Sequence, residues 1–535
     1  MRRLAFAALA LFAAYVALSF GNDTHGYLGT DTGGKVATLR AMERRGDLDP
    51  DVGYWAERWD PNGRVHPLYY TSHIGHRWVN VTTLPALFAA APLFDWLGYR
   101  GALLVPMLGA VACALAAAAL MRRLRPGDSG LRAFWVVGVA SPVLLYALDF
   151  WEHTLGVALM AWAVVVLVDV ATRARAAWWG VVAGLLLGGA ATMRTEAFVY
   201  ALVATAVACL TLVRRHAATA VGLGLFVVAG FALPVAANTA LERAALGQSF
   251  RTARAQDTVT TAGQVGSSSR VREAAITSLA STSDGDARSI LLGAGVVVSV
   301  GYALLRRDVR GAYLAAALLA ARSLAGLDFV PGFLVAAPLG VAGLAGGWRR
   351  GPPARLAVAT GVLALPLVWA FQYTGGAGPQ WGGRYVLVTS FLLTGVGVAV
   401  LAAESVPLRR TLFAVAGVVT ALGLAWMYVR THAIADAERK LDALPEPVRI
   451  SRVAHLVREG GGVLDLDRWL TAATDRDFSK AAAVAAAASA NRIAVVDLTG
   501  AREPARIGVY VFSGRVTRIE LLPGIDLSVR EYRQR

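Results

Sequence analysis

Apolar runs dominate this chain, and most have the length needed to cross a bilayer as a helix, about 20 residues. They fall near residues 4–20, 100–121, 133–149, 154–170, 177–192, 197–213, 219–237, 289–305, 311–325, 328–347, 354–372, 385–403 and 410–429. The connectors between them alternate in kind. One set is basic: Arg2/Arg3, Arg122/Arg123/Arg125, Arg173/Arg175, Arg214/Arg215, Arg306/Arg307, Arg349/Arg350 and Arg409/Arg410. Positive charge in short loops marks the cytoplasmic side, and the alternation holds along the whole chain. The other set holds everything irregular: a first outer loop at 21–99, a second at 238–288, the interruption "GGAGPQWGGRYVL" at 375–387 and a polar tail from 431 to 535. The pattern therefore predicts about thirteen transmembrane helices, with the N-terminus cytoplasmic and the tail outside. The run "NVTTLPALFAAAPLFDWLG" (80–98) would break the alternation if it crossed, so it reads as an interfacial or re-entrant helix.

The tail changes period. "GGVLDLDRWL", "RIAVVDLTG", "IGVYVFSG" and "VTRIELLPG" are short strand-like runs bounded by glycine, and "DRDFSKAAAVAAAASAN" reads as a helix between the first two. The expected fold class is an α-helical polytopic membrane protein (residues 1–430) with a small C-terminal extracytoplasmic α/β domain (431–535). No fixed-period repeat is visible.

Composition agrees: 56% of the 535 residues are hydrophobic and only 16% charged. The net charge of +16 could suggest nucleic acid in a soluble chain, but here many arginines sit in clusters between apolar runs, as topology signals. Cys113 and Cys209 each lie inside an apolar run, which argues against a disulfide framework or a thiolate metal site. The Ala, Arg and Gly bias suggests a high-GC bacterial genome. The opening "MRRLAFAALALFAAYVALSFG" has the basic start and apolar middle of a signal peptide. It lacks a small-x-small cleavage site, so it reads as an uncleaved first helix.

Polar groups near span ends are costly unless they serve a site or reach water. Asp31 sits in "GTDTGGK" just after the first span. It is either a carboxylate fixed for general-base chemistry, the N-cap of the following helix, or both. Farther along the loop come His66, Tyr69, Tyr70, His73, His76 and Arg77. His73-x-x-His76 invites a metal but lacks a third close ligand. Solvated or phosphate-facing histidines are the alternative. "LDFWEHTLGVAL" brings Asp149, Trp151, Glu152 and His153 to an outer junction, and "ATMRTEAFVYAL" brings Arg194 and Glu196. Arg194 and Arg384 each either close an ion pair or meet an anion such as a lipid phosphate.

In their order and shared sidedness these pieces resemble the GT-C superfamily of integral-membrane glycosyltransferases, especially bacterial relatives of protein O-mannosyltransferases and lipid A aminoarabinose transferases. The pieces are "GTDTGGKVATLRAMERRGDLD", "TTLPALFAAAPLFDWLG", "YALDFWEHTLG", "RTEAFVYAL", "NTALERAALGQSF" and "QWGGRYVL". The last is similar to a Gln-Trp-Gly-Pro-Arg-Tyr element of many bacterial members, and "RTE" stands where relatives tend to show Arg-Pro-Glu. The resemblance implies a GT-C-like fold and inverting transfer of a sugar from a polyprenyl-phosphate donor to an envelope glycan, lipid or protein acceptor. The enzyme would sit in the bacterial inner membrane, act on its outer face and bind no nucleic acid. Asp31 would be the base. Arg384, Arg194 and either Lys35 or His153 would hold the donor phosphate. Gln380, Trp381 and Tyr385 would shape the donor pocket, with Glu152, Glu196, Tyr70, His73 and His76 as further outer-face candidates. No cofactor is implied, because an arginine pair supplies the charge that a metal gives nucleotide-sugar enzymes; a divalent cation stays open at His73/His76. Two departures stand out. Thr30 and Thr32 flank Asp31 where relatives often carry a second acidic or aromatic residue, which makes Asp23 a substitute base. Gly383 replaces the usual proline, which loosens the turn.

The rival classes are a transporter or flippase of lipid-linked sugars and an O-antigen ligase or polymerase type of enzyme. A non-catalytic scaffold is a third. Transporters place charges or broken helices near the midplane. The pattern shows no paired interrupted spans, and Arg322, with Asp328 as a possible partner, is the most nearly intramembrane cation.

Overall fold

A computed structural model describes residues 2–80, 83–173, 175–213, 216–249, 271–272, 275–276, 279, 287–324, 330–371, 380–501 and 504–535. Most of the second outer loop, Asp328 and the glycines of 375–378 lie outside these residues. The chain divides into two compact units. One comprises Met1–Ser19, Leu103–Glu242 and Ser249–Trp426; the other comprises Phe20–Ala102, Arg243–Gln248 and Met427–Arg535.

The first unit is a helical bundle. Among the described residues, eight helices are long and apolar enough to cross a membrane: Arg2–Ser19, Tyr99–Leu124, His153–Thr172, Ala217–Leu246, Ala287–Arg306, Pro352–Phe371, Arg384–Leu401 and Val406–Asp442. Large apolar side chains point outward from them, among them Phe6, Leu9, Leu225, Leu233, Leu291 and Leu305. That surface suits hydrocarbon, and helices are the open-ended elements that satisfy their own backbone there. The chain is a multi-pass membrane protein. Three other expected runs form shorter helices, Gly180–Met193, Ala197–Val213 and Val309–Leu324.

The remaining two runs are interrupted, contrary to the expectation of unbroken spans. The run at 133–149 splits into Leu131–Val139 and Pro142–Ala147, and that at 328–347 into Phe333–Ala336 and Leu339–Gly346. Proline is the cause in both. Residues before a proline are pushed out of the helical region: Ser141 sits at φ −147°, ψ 167° and caps the Val143 amide, while Ala337 before Pro338 sits at φ −129°, ψ 68°. Leu339–Gly346 then packs backbone to backbone on the helix Leu387–Leu401, with a Cβ at Gly343 or Gly397 falling 2.0 Å from a carbonyl oxygen across the contact. Small residues permit such approach between helices in lipid. Arg322 is buried and donates to Ser289 Oγ at 3.1 Å.

At one end of this bundle Arg123, at the end of Tyr99–Leu124, grips Asp169 near the end of His153–Thr172, at 2.8 and 2.5 Å, with Arg175 at 3.7 Å. Arginines of the basic connectors thus also neutralise a buried carboxylate. The outer-face candidates Glu152 and His153 lie at the opposite end of that 20-residue helix, about 24 Å from Asp169 at 1.5 Å per residue.

The second unit is built on a six-stranded sheet, with β1 (Thr71–Ile74) and β2 (Arg77–Asn80) forming a separate hairpin. The sheet strands are β3 (Val448–Ser451), β4 (Trp469–Thr471), β5 (Arg492–Leu498), β6 (Arg506–Ile507), β7 (Tyr510–Leu522) and β8 (Ile525–Gln534), in the order β4-β3-β5-β8-β7-β6. β3 runs parallel to β4 and β5, and the remaining pairs are antiparallel. The expected tail helix is present as Asp475–Ala487, capped by Thr474. β3 and β8 were not anticipated, and "GGVLDLDRWL" contributes only the short strand at its end.

Residues of the first outer loop complete this unit. Tyr54, Val65 and Trp78 share a buried cluster with Ile450, Val495, Phe478 and Tyr532. Thr471 donates its amide to Val65 O and its hydroxyl to Pro67 O, and Trp55 Nε1 donates to Trp469 O. The expected division at 430/431 falls inside the helix Val406–Asp442. The run at 80–98 forms the helix Leu84–Leu97, whose 14 residues span roughly 21 Å, short of the ~30 Å hydrocarbon core.

Candidate functional site

Two polar centres emerge, one in each unit. In the second unit the helix Thr30–Arg45 begins after Gly29, which is its N-cap; Asp31 is inside the first turn. Its carboxylate is therefore not the N-cap. Oδ1 instead accepts from Arg458 Nη1 at 2.8 Å. Arg458 is 1% exposed, and its guanidinium also donates to Thr30 Oγ1 at 3.2 Å and Asn80 Oδ1 at 3.1 Å. The Tyr70 ring lies under its cationic carbon at 5.4 Å. Three chain segments thus fix one guanidinium, which fixes one carboxylate whose side chain keeps 28% exposure.

Two glycines explain how these segments come together. A Cβ at Gly33 would lie 2.1 Å from Glu459 O, and one at Gly34 would lie 2.4 Å from Asn80 Oδ1. Any larger residue would push the helix off the Leu456–Glu459 turn and off the hairpin. The "TDTGGK" sequence therefore specifies a close backbone approach. Lys35, one helical turn beyond Asp31, is buried.

His455 joins this centre, its ring 5.0 Å from Tyr69 and 5.6 Å from Tyr70. Burial lowers its pKa, the Arg458 charge lowers it further, and Asp31 opposes both; the net shift is downward. The imidazole is neutral at pH 7. Tyr70 sits at φ +64°, in the left-handed region that aromatic residues seldom occupy. Asp23 is tied into a turn, accepting from the His25 amide at 2.9 Å and pairing with Arg439 at 3.3 Å. Burial alone would raise its pKa, but the His25 and Arg439 contacts outweigh it and hold the carboxyl below its ordinary value.

The histidines separate. His66 is buried between Gly53 O and Leu68, and burial lowers its pKa to about 4. His73 stacks on Trp78 at 4.2 Å and faces Glu57 at 3.6 Å, while His76 lies in the hairpin turn. Among the described residues, no three His, Cys, Asp or Glu side chains converge as a metal set.

In the first unit Arg194 stands between Gly180–Met193 and Ala197–Val213. Its Nη1 donates to Glu152 Oε1 at 3.0 Å and its Nε to Glu196 Oε1 at 2.9 Å, with all three side chains largely buried. The Tyr385 ring is shared: Arg194 lies 5.3 Å and Arg384 4.8 Å from its centroid. His153, Gly156, Arg194, Glu196 and Arg384 line one narrow cavity. His153, Tyr146 and Trp151 form a ring cluster with centroids 5.0–5.4 Å apart. Gln380 and Trp381 are buried in the preceding turn, where Trp381 packs on Trp426 at 5.7 Å.

That turn joins the two interrupted runs. Gly382 donates its amide to Pro331 O at 2.9 Å, and its Cβ position would meet Pro142 at 2.9 Å and Ala336 at 3.2 Å. Gly383 lies at φ +70°. Proline, locked near φ −65°, is excluded there. Glycine at 383 therefore defines a specific turn, rather than loosening one as expected.

Arg458, Asn80 and His455 are the residues sequence reasoning missed. The one local signal for Arg458 and His455 was "HLVREGGG", ionisable residues set before three glycines in a tail otherwise read as plain α/β.

No family model and no curated protein matches the chain. Solved structures are similar to it. ArnT from Cupriavidus metallidurans, crystallised with undecaprenyl phosphate, aligns over 98% of this chain and 97% of its own at 12% identity and a TM-score of 0.49. The apo form aligns over 92% and 93% at 13% identity and 0.47. The oligosaccharyltransferase AglB from Archaeoglobus fulgidus, in complex with an inhibitory peptide and a dolichol-phosphate, aligns over 91% of this chain and 69% of its own at 11% identity and 0.44.

Proposed function

We propose that this protein is a glycosyltransferase that moves a sugar from a polyprenyl-phosphate donor to an envelope glycan, lipid or protein acceptor outside the cytoplasmic membrane. The observation that carries the reading is the Asp31–Arg458 pair: a partly exposed carboxylate immobilised by a fully buried guanidinium, in the motif that resembles the superfamily's catalytic segment. In the reaction the acceptor hydroxyl attacks the anomeric carbon from the face opposite the lipid phosphate. Asp31 takes the hydroxyl proton, the bond from the anomeric carbon to the phosphate oxygen breaks, and the phosphate leaves with the electron pair. Configuration inverts. A lipid phosphate is already a good leaving group, so the site needs a base and fixed positive charge.

The charge balance at Arg194 divides the arginine roles. Two carboxylates already engage Arg194, so its charge is spent within the protein and it positions Tyr385 and the cavity wall. Arg384, which shares that ring and lines the same cavity, is the cation offered to the donor phosphate. The site works without a metal, and transfer is expected to persist in excess EDTA. The reading is tested by mass spectrometry of lipid-linked sugars in a deletion strain. A polyprenyl-phosphate sugar should accumulate while one envelope sugar disappears; an unchanged lipid-linked pool and envelope would refute it.

The interrupted runs at Pro142 and Pro338 favour a second reading, a transporter of lipid-linked sugars, because broken helices line transport sites. In that case labelled lipid-linked sugar would change leaflet in proteoliposomes without any acceptor being glycosylated.

A further inference from the structure

A recess of the second unit lies beside the Asp31 centre and is not used by the chemistry above. It encloses about 150 Å³ and is walled by Arg64, His66, Tyr69, Tyr70, Thr471 and Asp477. A volume of that size is below the ~300 Å³ of a pocket that engulfs a whole ligand, and suits about one sugar ring laid in an open recess. Tyr69 and Tyr70 are 37% and 48% exposed, with ring centroids 4.5 Å apart and planes at 56°. Two large aromatic rings left open inside a concavity form a platform for the apolar face of a ligand. Tyr70 holds this position in a left-handed backbone conformation, the kind of local strain that clusters at binding sites.

The polar groups define the ligand further. Arg64 Nε donates to Asp477 Oδ1, and Thr474 Oγ1 donates to the other carboxylate oxygen at 2.6 Å. The guanidinium and carboxylate cancel, and the neighbouring His66 is neutral at pH 7. A recess with no net charge does not select a phosphate or an acidic lipid headgroup. A joined guanidinium and carboxylate present donors and an acceptor side by side, the complement of adjacent hydroxyl groups. Tyr70 connects this recess to the chemistry, because its ring also lies under the Arg458 guanidinium that holds Asp31.

We propose that this recess is the acceptor subsite and binds a neutral carbohydrate, with one sugar face on Tyr69 and Tyr70 and vicinal hydroxyls on Arg64 and Asp477. The inference rests on the glycosyltransferase reading for its role, but the binding stands or falls separately.

The test uses full-length protein in nanodiscs and saturation-transfer NMR with three probes: methyl α-mannopyranoside, methyl α-arabinofuranoside and a neutral Ser/Thr-containing tetrapeptide. At least one glycoside should show ring-proton saturation in the wild type. The effect should drop roughly tenfold in Tyr69→Ala and in Arg64→Gln, and return in Tyr69→Phe. Thermal melts confirm that the variants fold, and undecaprenyl phosphate binding should match wild type in all of them. Glycoside signals that persist in both Tyr69→Ala and Arg64→Gln, or saturation of the peptide alone, would overturn the subsite. The wild-type glycoside signal does not depend on turnover. If sugar binds as stated but Asp31→Asn leaves cellular glycosylation unchanged, the transferase reading fails and the carbohydrate site remains.

Discussion

Arg458 donates to Thr30, Asp31 and Asn80 from a position almost without solvent exposure. Its truncation would leave the carboxylate unaimed, so Arg458→Gln should cut turnover by about 10²-fold, the scale of a misplaced catalytic group, with donor affinity unchanged. Equilibrium binding and single-turnover rates separate the two. The arginines of the membrane unit should behave oppositely to each other. Arg384→Ala should weaken undecaprenyl phosphate binding roughly tenfold or more, as loss of a charged hydrogen bond does, and leave the melting temperature near wild type. Arg194→Ala leaves Glu152 and Glu196 buried without their cation, and should destabilise the protein by about 3–5 kcal/mol. Asp31 drew notice in the sequence by its Gly/Thr-rich setting shortly after the first apolar run, with Asp23 as the competing carboxylate. Arg458 did not, because its partners lie some 400 residues away and nothing local marks it as buried.

Elements show the same division. The helix Val406–Asp442 carries Glu438, which is wholly buried, with neither carboxylate oxygen hydrogen-bonded. Burial raises its pKa well above the ordinary value, and the charges of Glu459 and Asp23 add to this, against Arg439 and Arg40. A carboxyl whose folded pKa exceeds its unfolded one favours folding at low pH, and that contribution is lost as pH rises from the unfolded value through the folded one. Glu438→Gln should therefore raise the melting temperature near pH 8 and flatten its fall between pH 5 and 8, read by thermal scans across that range. At the helix Thr30–Arg45, Gly33→Ala should destabilise by about 1–3 kcal/mol, the usual cost of forcing extra volume into a packed contact. Denaturant melts of the full chain would show it. The length of the apolar runs made the long helices readable, and a short apolar run bounded by glycine marked β5. The interrupted runs were misread because length outweighed "SP" at 141–142 and "AP" at 337–338, although both dipeptides carry a backbone reason to break. The need for the glycine pair 33–34 was not visible in the sequence, because its reason, the Glu459 carbonyl and the Asn80 side chain, appears only with the fold.

At the scale of the molecule, the apolar helices and their outward apolar side chains establish a multi-pass membrane protein, and the arginine-rich connectors give its proposed orientation. Single cysteines placed at Ser489 and at Arg2 in a Cys113→Ala/Cys209→Ala background should differ in whole cells. The first should react with a membrane-impermeant maleimide and the second should not; the reverse pattern would invert the topology. The membrane bundle was the most readable part, since hydropathy and charge act locally. The joint unit formed by the first outer loop and the tail was the least readable, since Val65, Trp78 and Tyr532 share a core that no short-range pattern announces. The central claim is that Asp31 is the base of a lipid-linked sugar transfer. The most direct measurement is transfer from a radiolabelled polyprenyl-phosphate sugar by purified protein in nanodiscs, comparing wild type with Asp31→Asn. Removal of a general base predicts a loss of at least about 10²-fold with an unchanged melting temperature and unchanged donor affinity. Transfer by Asp31→Asn at the wild-type rate would contradict the account.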